Sequence, residues 1–235
     1  MSIILRCLFL CCVCCPALLA QTSWQEAFAK MPLTESVTEL DRSNCVRIML
    51  HSFQPNPAVK ALIFMPGATD EFYFFKRARA RLTNASPTLF DAVVALTNQT
   101  YIRADVRPPF LLLHGVEDPL EPFVVIQDQK TADRIQRKKF DDHAIFDDRD
   151  WDYVEPLLAF AADTRMKPPV HSFHSNHFFR NSFAEFHLTA WEAMEAVALA
   201  SKTKFTVQRK HILFEGDDRP MPKPIPPDSS IFEWK

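Results

Sequence analysis

"FLLLHGVEDPLEP", Phe110 to Pro122, is the stretch on which the reading of this chain turns. Phe110 to Leu113 are apolar without a break, as expected of a strand buried on both faces. His114-Gly115 then marks a turn, and Glu117, Asp118 and Glu121 bring carboxylates to the strand end. Ends of strands are where α/β sheets meet ligands, so two readings stand side by side. Asp118 is delivered there for chemistry. Alternatively, His114 ends a strand, Gly115 turns, and Asp118 caps whatever follows Pro119.

Upstream, "ALIFMPG" (Ala61–Gly67) is a second continuous apolar run and reads as a central strand. In "CVRIMLHSF", Val46, Ile48 and Leu50 alternate with Arg47, Met49 and His51, a period that predicts a half-buried strand. "QPNPAVK" joins these two runs. "ATDEFYFFKRARARL" reads as a helix capped by Thr69 or Asp70, with Phe72 to Phe75 mainly core material. "SPTLFDAVVAL" reads as another helix, with Ser86 as cap and Pro87 in its first turn. "YIRADVRPPFLLLHG" is extended.

Downstream, "DRIQRKKFDDHAIFDDRD" reads as an exposed helix and loop, since charge runs are usually solvated faces. "WDYVEPLLAFAADT" follows as a helix. "NSFAEFHLTAWEAMEAVALAS" is the clearest helix, with Ser182 and Glu185 as a capping box. Phe179, Phe183, Phe186, Ala190, Met194 and Val197 fall on one stripe. "KFTVQRKHILFEG" reads as a last strand, and "PMPKPIPPDSSIFEWK" as a proline-rich tail.

The 235 residues are 47% hydrophobic and 24% charged with a formal net charge of -2, which fits one globular domain. That balance gives no basic footprint, so nucleic acid is not an expected partner. Only three glycines are present, and neither GxGxxG nor a Walker-type loop can be written from them. "MSIILRCLFLCCVCCPALLAQ" has the size of a secretory signal and is too short to span a bilayer. The expectation is a signal peptide at 1–20, a single α/β domain at 21–219 and a tail at 220–235. The destination is export, periplasmic or secreted, with no membrane contact beyond the signal. Five of the six cysteines lie in that signal, leaving Cys45 as a small buried hydrophobe without a disulfide partner. Asn84 and Asn98 match the glycosylation pattern, which decides nothing by itself.

The strand ending in "HGVEDPLEP" resembles the acid-bearing strand of the α/β-hydrolase family. "ALIFMPGATDEFYFF" resembles that family's oxyanion turn, and "PPVHSFHSNHFF" its histidine turn. The resemblance implies an α/β fold, a three-layer sandwich around a mostly parallel sheet, in reduced form. It implies Asp118 as orienting acid, His177 or His174 as base, and the backbone of Gly67 and Ala68 as oxyanion hole. The chain departs from the family at the nucleophile, because no G-x-S-x-G elbow is present. The hydroxyls between the oxyanion-like turn and the acid-like strand are Thr69, Thr83, Ser86, Thr88, Thr97 and Thr100, none in such an elbow.

The expected function is therefore a non-catalytic or degenerate domain that binds a small ligand or a protein and needs no cofactor. One alternative is an esterase-like hydrolase with an unconventional nucleophile. Another is a divalent metal site, such as zinc, on His171 and His177, which share one face of a strand while His174 points away. His187 lies nearby in sequence.

Overall fold

The computed structural model describes residues 24–68, 79–116, 118–137, 170–172 (backbone placement), 188–217 and 219. Its organising pair is the two apolar runs, β2 (Ala61–Phe64) and β5 (Phe110–His114), which lie parallel with Ala61 opposite Phe110 and Phe64 opposite Leu113. The period of two sends Ala61, Ile63, Phe110 and Leu112 to one face of this sheet. Leu62, Phe64, Leu111 and Leu113 go to the other. All eight are buried, which is why neither run shows a polar alternation in sequence.

β4 (Arg103–Arg107) pairs antiparallel with β5 through Pro108-Pro109, whose peptide bond is cis, and completes the order β2-β5-β4. Ala104 and Val106 lean on the core while Arg103 and Arg107 are exposed.

One face of the sheet is covered by a helical turn at 24–28, α1 (Cys45–Ser52) and α2 (Leu89–Gln99). α1 occupies the run expected as a strand. Its buried residues are Cys45, Ile48, Met49, Leu50 and Ser52, of which all but Leu50 recur at three- and four-residue steps, so the true period is helical. The alternation of Val46, Ile48 and Leu50 was a coincidence of hydrophobic residues on a helix that is apolar over much of its girth. α2 forms as expected, but its cap is Thr88 rather than Ser86. Thr88 and Asp91 form a reciprocal capping box, which leaves Pro87 outside the helix. Trp24 and Phe28 meet edge to face at 5.3 Å and anchor the lead segment beneath these helices.

The other face is covered by α4 (Ala190–Ser201), whose buried side includes Ala193, Met194, Ala196, Val197 and Ala200. A helix apolar nearly all round belongs between layers. The same helix packs against a second sheet of order β6-β8-β9-β7, made of β6 (Phe123–Ile126), β7 (Val170–Ser172), β8 (Thr203–Val207) and β9 (Ile212–Gly216). Phe205 and Phe214 stack at 5.4 Å against α4, and Trp191 meets Phe205 edge-on. α3 (Gln129–Gln136) adds Ala132 and Ile135 to this core. α4 starts at Thr189, which forms a capping box with Glu192. The box expected at Ser182 and Glu185 lies outside the described residues, as do Phe179, Phe183 and Phe186.

The expected three-layer sandwich around a mostly parallel sheet is overturned. The described strands form two small mixed sheets and a two-stranded ladder of β1 (Glu39–Leu40) with β3 (Ala80–Arg81). Two hairpins account for the error. "RADVRPPFLLLH" and "TKFTVQRKHILFEG" each read as one extended run, and each folds into two antiparallel strands. In the second, Gln208 N–H donates to the His211 carbonyl at 3.0 Å and closes the turn. The helix expected over Ala68–Leu82 falls mostly outside the described residues, although Ala80 and Arg81 are in β3. The signal, the helix at 151–164 and the tail also lie outside them.

Candidate functional site

Because β2 and β5 run parallel and in register, their continuations emerge side by side. Met65 N–H donates to Leu113 C=O at 2.7 Å, and two residues later Gly67 faces Gly115. A Cβ built on Gly115 would stand 3.0 Å from Gly67 Cα. One built on Gly67 would stand 2.9 Å from Gly115 Cα and 2.4 Å from Asp118 Oδ2. Neither glycine has a positive φ, so both are there for space rather than for backbone freedom. Two of the three glycines in the chain thus serve one close approach.

Asp118 fills that approach. The turn after β5, in which Asp118 N–H reaches the Gly115 carbonyl at 3.3 Å, points its carboxylate back at the strand ends. Asp118 Oδ2 accepts from Gly67 N–H at 2.9 Å and from Gly115 N–H at 2.8 Å, and Oδ1 lies 3.2 Å from the same Gly67 nitrogen. The residue is buried, 8% exposed. Both glycines are half-buried, and amides partly shielded from water gain from an acceptor, of which a carboxylate is the strongest a side chain can offer. The Gly67 amide, expected to receive a substrate oxyanion, donates to an oxygen of the protein's own.

An acid–base pair sits next to this approach in the same sheet. Arg103 pairs with His114 across the β4–β5 ladder, so Asp105 is the diagonal neighbour of His114 on the same face. His114 Nε2 lies 2.8 Å from Asp105 Oδ2, and Nδ1 lies 2.6 Å from the Gly115 carbonyl. Both ring nitrogens therefore face oxygen acceptors. A neutral tautomer can donate to one of them, an imidazolium to both. This pair was missed in sequence, where Pro108-Pro109 was not recognised as a hairpin turn that folds Asp105 back onto His114.

The other expected site residues distribute differently. Ala68 is fully buried beside Gly67. The His171 backbone pairs with Leu213 in the second sheet, a different sheet from the one Asp118 terminates. His174, His177, His187 and Glu117 lie outside the described residues. Among the described residues no group of three or more His, Cys, Asp or Glu side chains is placed to hold a metal ion. Of the candidate nucleophiles, Thr88 belongs to the α2 cap, Thr97 Oγ1 donates to Val93 C=O at 3.0 Å, and Thr100 Oγ1 donates to Leu96 C=O at 2.6 Å. Cys45 is buried and its thiol is pushed far up by burial, then by Asp41, so it is no thiolate nucleophile.

Beside Asp118 is a crevice of about 10 Å³, walled by Met65, Pro119, Leu199 and Thr203, with room for about one water. Asp217 and Arg219 close it. Arg219 Nε donates to both Asp217 oxygens at 2.9 and 2.8 Å, Nη2 reaches the Glu121 carbonyl at 3.2 Å, and the guanidinium lies 5.0 Å over the Phe123 ring. Burial would raise the Asp217 carboxyl, but its hydrogen bonds from Arg219 outweigh that and hold it below the usual range. Among the described residues no helix is long and apolar enough to cross a membrane. No family model, no curated protein and no solved structure matches this chain.

Proposed function

We propose that this chain is an exported, non-catalytic domain that binds a small ligand or a protein, with its strand-end aspartate serving structure rather than turnover. The observation that carries this reading is the bonding of Asp118 to the amides of Gly67 and Gly115. An orienting acid must offer an oxygen to an imidazole. An oxyanion hole must offer its N–H to a substrate. Here the Gly67 amide that would form the hole already donates to a side-chain oxygen of the chain itself. The engagement of Thr88, Thr97 and Thr100 within α2 supports the same reading.

Export rests on the apolar run ending at Ala20. A panel of p-nitrophenyl esters, assayed on the full chain and on Asp118→Asn, tests the reading. Expected is no turnover above buffer for either protein. Ester turnover by the full chain that disappears in a folded Asp118→Asn protein would overturn it. Mass determination of the exported product tests the signal, and retention of residues 1–20 would contradict it.

A further inference from the structure

We propose that the concave surface between α3 and the β8–β9 turn binds a compact ligand carrying several phosphate or sulfate groups. The inference goes beyond the reading above and does not depend on it, since a catalytic strand end would leave this surface unchanged. The hollow measures about 780 Å³, within the size range of small-ligand sites. Lys130, Arg134 and Arg137 line it from α3 and the residue that ends it. Their spacings of four and three place them along one helical face. Arg209, from the β8–β9 turn, lines it as well.

Two carboxylates share the hollow, and both are committed. Asp128 Oδ2 accepts from Thr131 N–H at 3.0 Å as the α3 cap, and Asp133 Oδ1 accepts from Gln129 Nε2 at 2.7 Å. Among the described residues that line it, four cations stand against two carboxylates, in a chain whose formal net charge is -2. The Asp128 carboxyl is held below its usual range, first by the Thr131 hydrogen bond and also by the fields of Arg209 and Lys130. Those two cations therefore act on the same space.

The ligand class follows from what lines the hollow. Guanidinium groups present paired donors matched to phosphate and sulfate oxygens, and Lys130 adds a point charge. Several phosphate or sulfate groups on one small body match these paired donors and the point charge beside them.

The test is calorimetric titration of the full chain with inorganic tripolyphosphate, with amide chemical-shift mapping on the same protein. Expected is one-site binding that weakens as salt is raised to about 150 mM, with shifts confined to α3 and residues 208–211. The Arg134→Gln, Arg209→Gln double variant should bind at least about tenfold more weakly, a loss of about 1.4 kcal/mol. Arg103→Gln, on the exposed edge of β4, should stay within about twofold. No heat and no shifts would overturn the proposal, as would wild-type affinity in the double variant. Binding to vesicles of anionic phospholipid without binding to tripolyphosphate would overturn it too, because the surface would then be a membrane contact. Shift mapping on the unmodified chain decides the matter even if the double variant does not fold.

Discussion

Asp118 Oδ2 lies 2.9 Å from the Gly67 nitrogen and 2.8 Å from the Gly115 nitrogen, so one side-chain oxygen ties together the ends of two parallel strands. The carboxylate reaches a partner 51 residues away in sequence. A contact of that span closes a long loop and fixes where β2 stops relative to β5. The strand end is thereby a knot between two segments, in which a buried carboxylate accepts from two half-buried amides.

Asp118→Ala leaves two half-buried amides without this acceptor. The expected loss of unfolding free energy is about 2–4 kcal/mol, measured by urea denaturation. Asp118→Asn should cost less, about 1–2 kcal/mol, because its carbonyl oxygen can still take the place of Oδ2. Equal stability of all three proteins would remove the structural role.

Gly67→Ala is expected to cost about 1–3 kcal/mol through overpacking, since its Cβ meets Asp118 Oδ2 at 2.4 Å and the Gly115 backbone at 2.9 Å. Part of that penalty belongs to the aspartate. In a double-mutant cycle, Gly67→Ala should be milder in the Asp118→Ala background by about 0.5 kcal/mol or more. Strict additivity would mean that the two residues do not share the space described.

His114 and Asp105 form a pair of unequal burial, with side chains 8% and 46% exposed. Solvent at Asp105 screens the interaction, so a cycle of His114→Gln with Asp105→Asn should give a coupling of about 1 kcal/mol or less. A coupling well above that would mean that Asp105 is more enclosed than the described residues make it.

Glu195 carries a pH signature. Burial, followed by the charge of Glu192, raises its carboxyl above the usual range despite the hydrogen bond from Trp191 Nε1 at 2.8 Å. In the window between the unfolded value and this raised one, the folded state holds more protons than the unfolded chain. Stability therefore falls as pH rises through it. Glu195→Gln keeps an oxygen for Trp191 and removes the charge. It should stabilise the protein modestly at pH 7, by less than about 1 kcal/mol, and confer no gain in acid. Denaturation at pH 4 and pH 7 checks both signs, and a larger gain in acid would contradict the assignment.

Much of this architecture was legible where one physical signal dominated. The unbroken apolar runs at Ala61–Phe64 and Phe110–Leu113 were read as central strands, and the structure buries them on both faces. The alanine-rich Ala190–Ser201 was read as a helix for its pattern, although its cap moved to Thr189. Errors arose where the signal was degenerate. Cys45–Ser52 satisfies both a period of two and a helical period, and only the tertiary face decides between them. Pro108-Pro109 carries no glycine or asparagine turn signal, so the β4–β5 hairpin, and with it the His114–Asp105 pair, went unread.

For the site, Asp118, Gly67 and Ala68 were read as strand-end residues from their positions after two apolar runs, and Gly67 and Asp118 meet beyond β2 and β5. Their bonding could not be read, because a carboxylate at a strand end looks the same whether it faces a histidine or an amide. The basic hollow was hidden differently. Lys130, Arg134 and Arg137 read as a solvated face until Arg209 was brought across from the β8–β9 turn.

Amide hydrogen exchange at Gly67 and Gly115 tests the central claim most directly. The account predicts that both amides are protected in the native protein, and that Asp118→Ala lowers their protection selectively while Leu112 in β5 stays protected until global unfolding. Rapid exchange at both glycines in the native protein, or undiminished protection in Asp118→Ala, would show that this carboxylate does not hold the strand ends together.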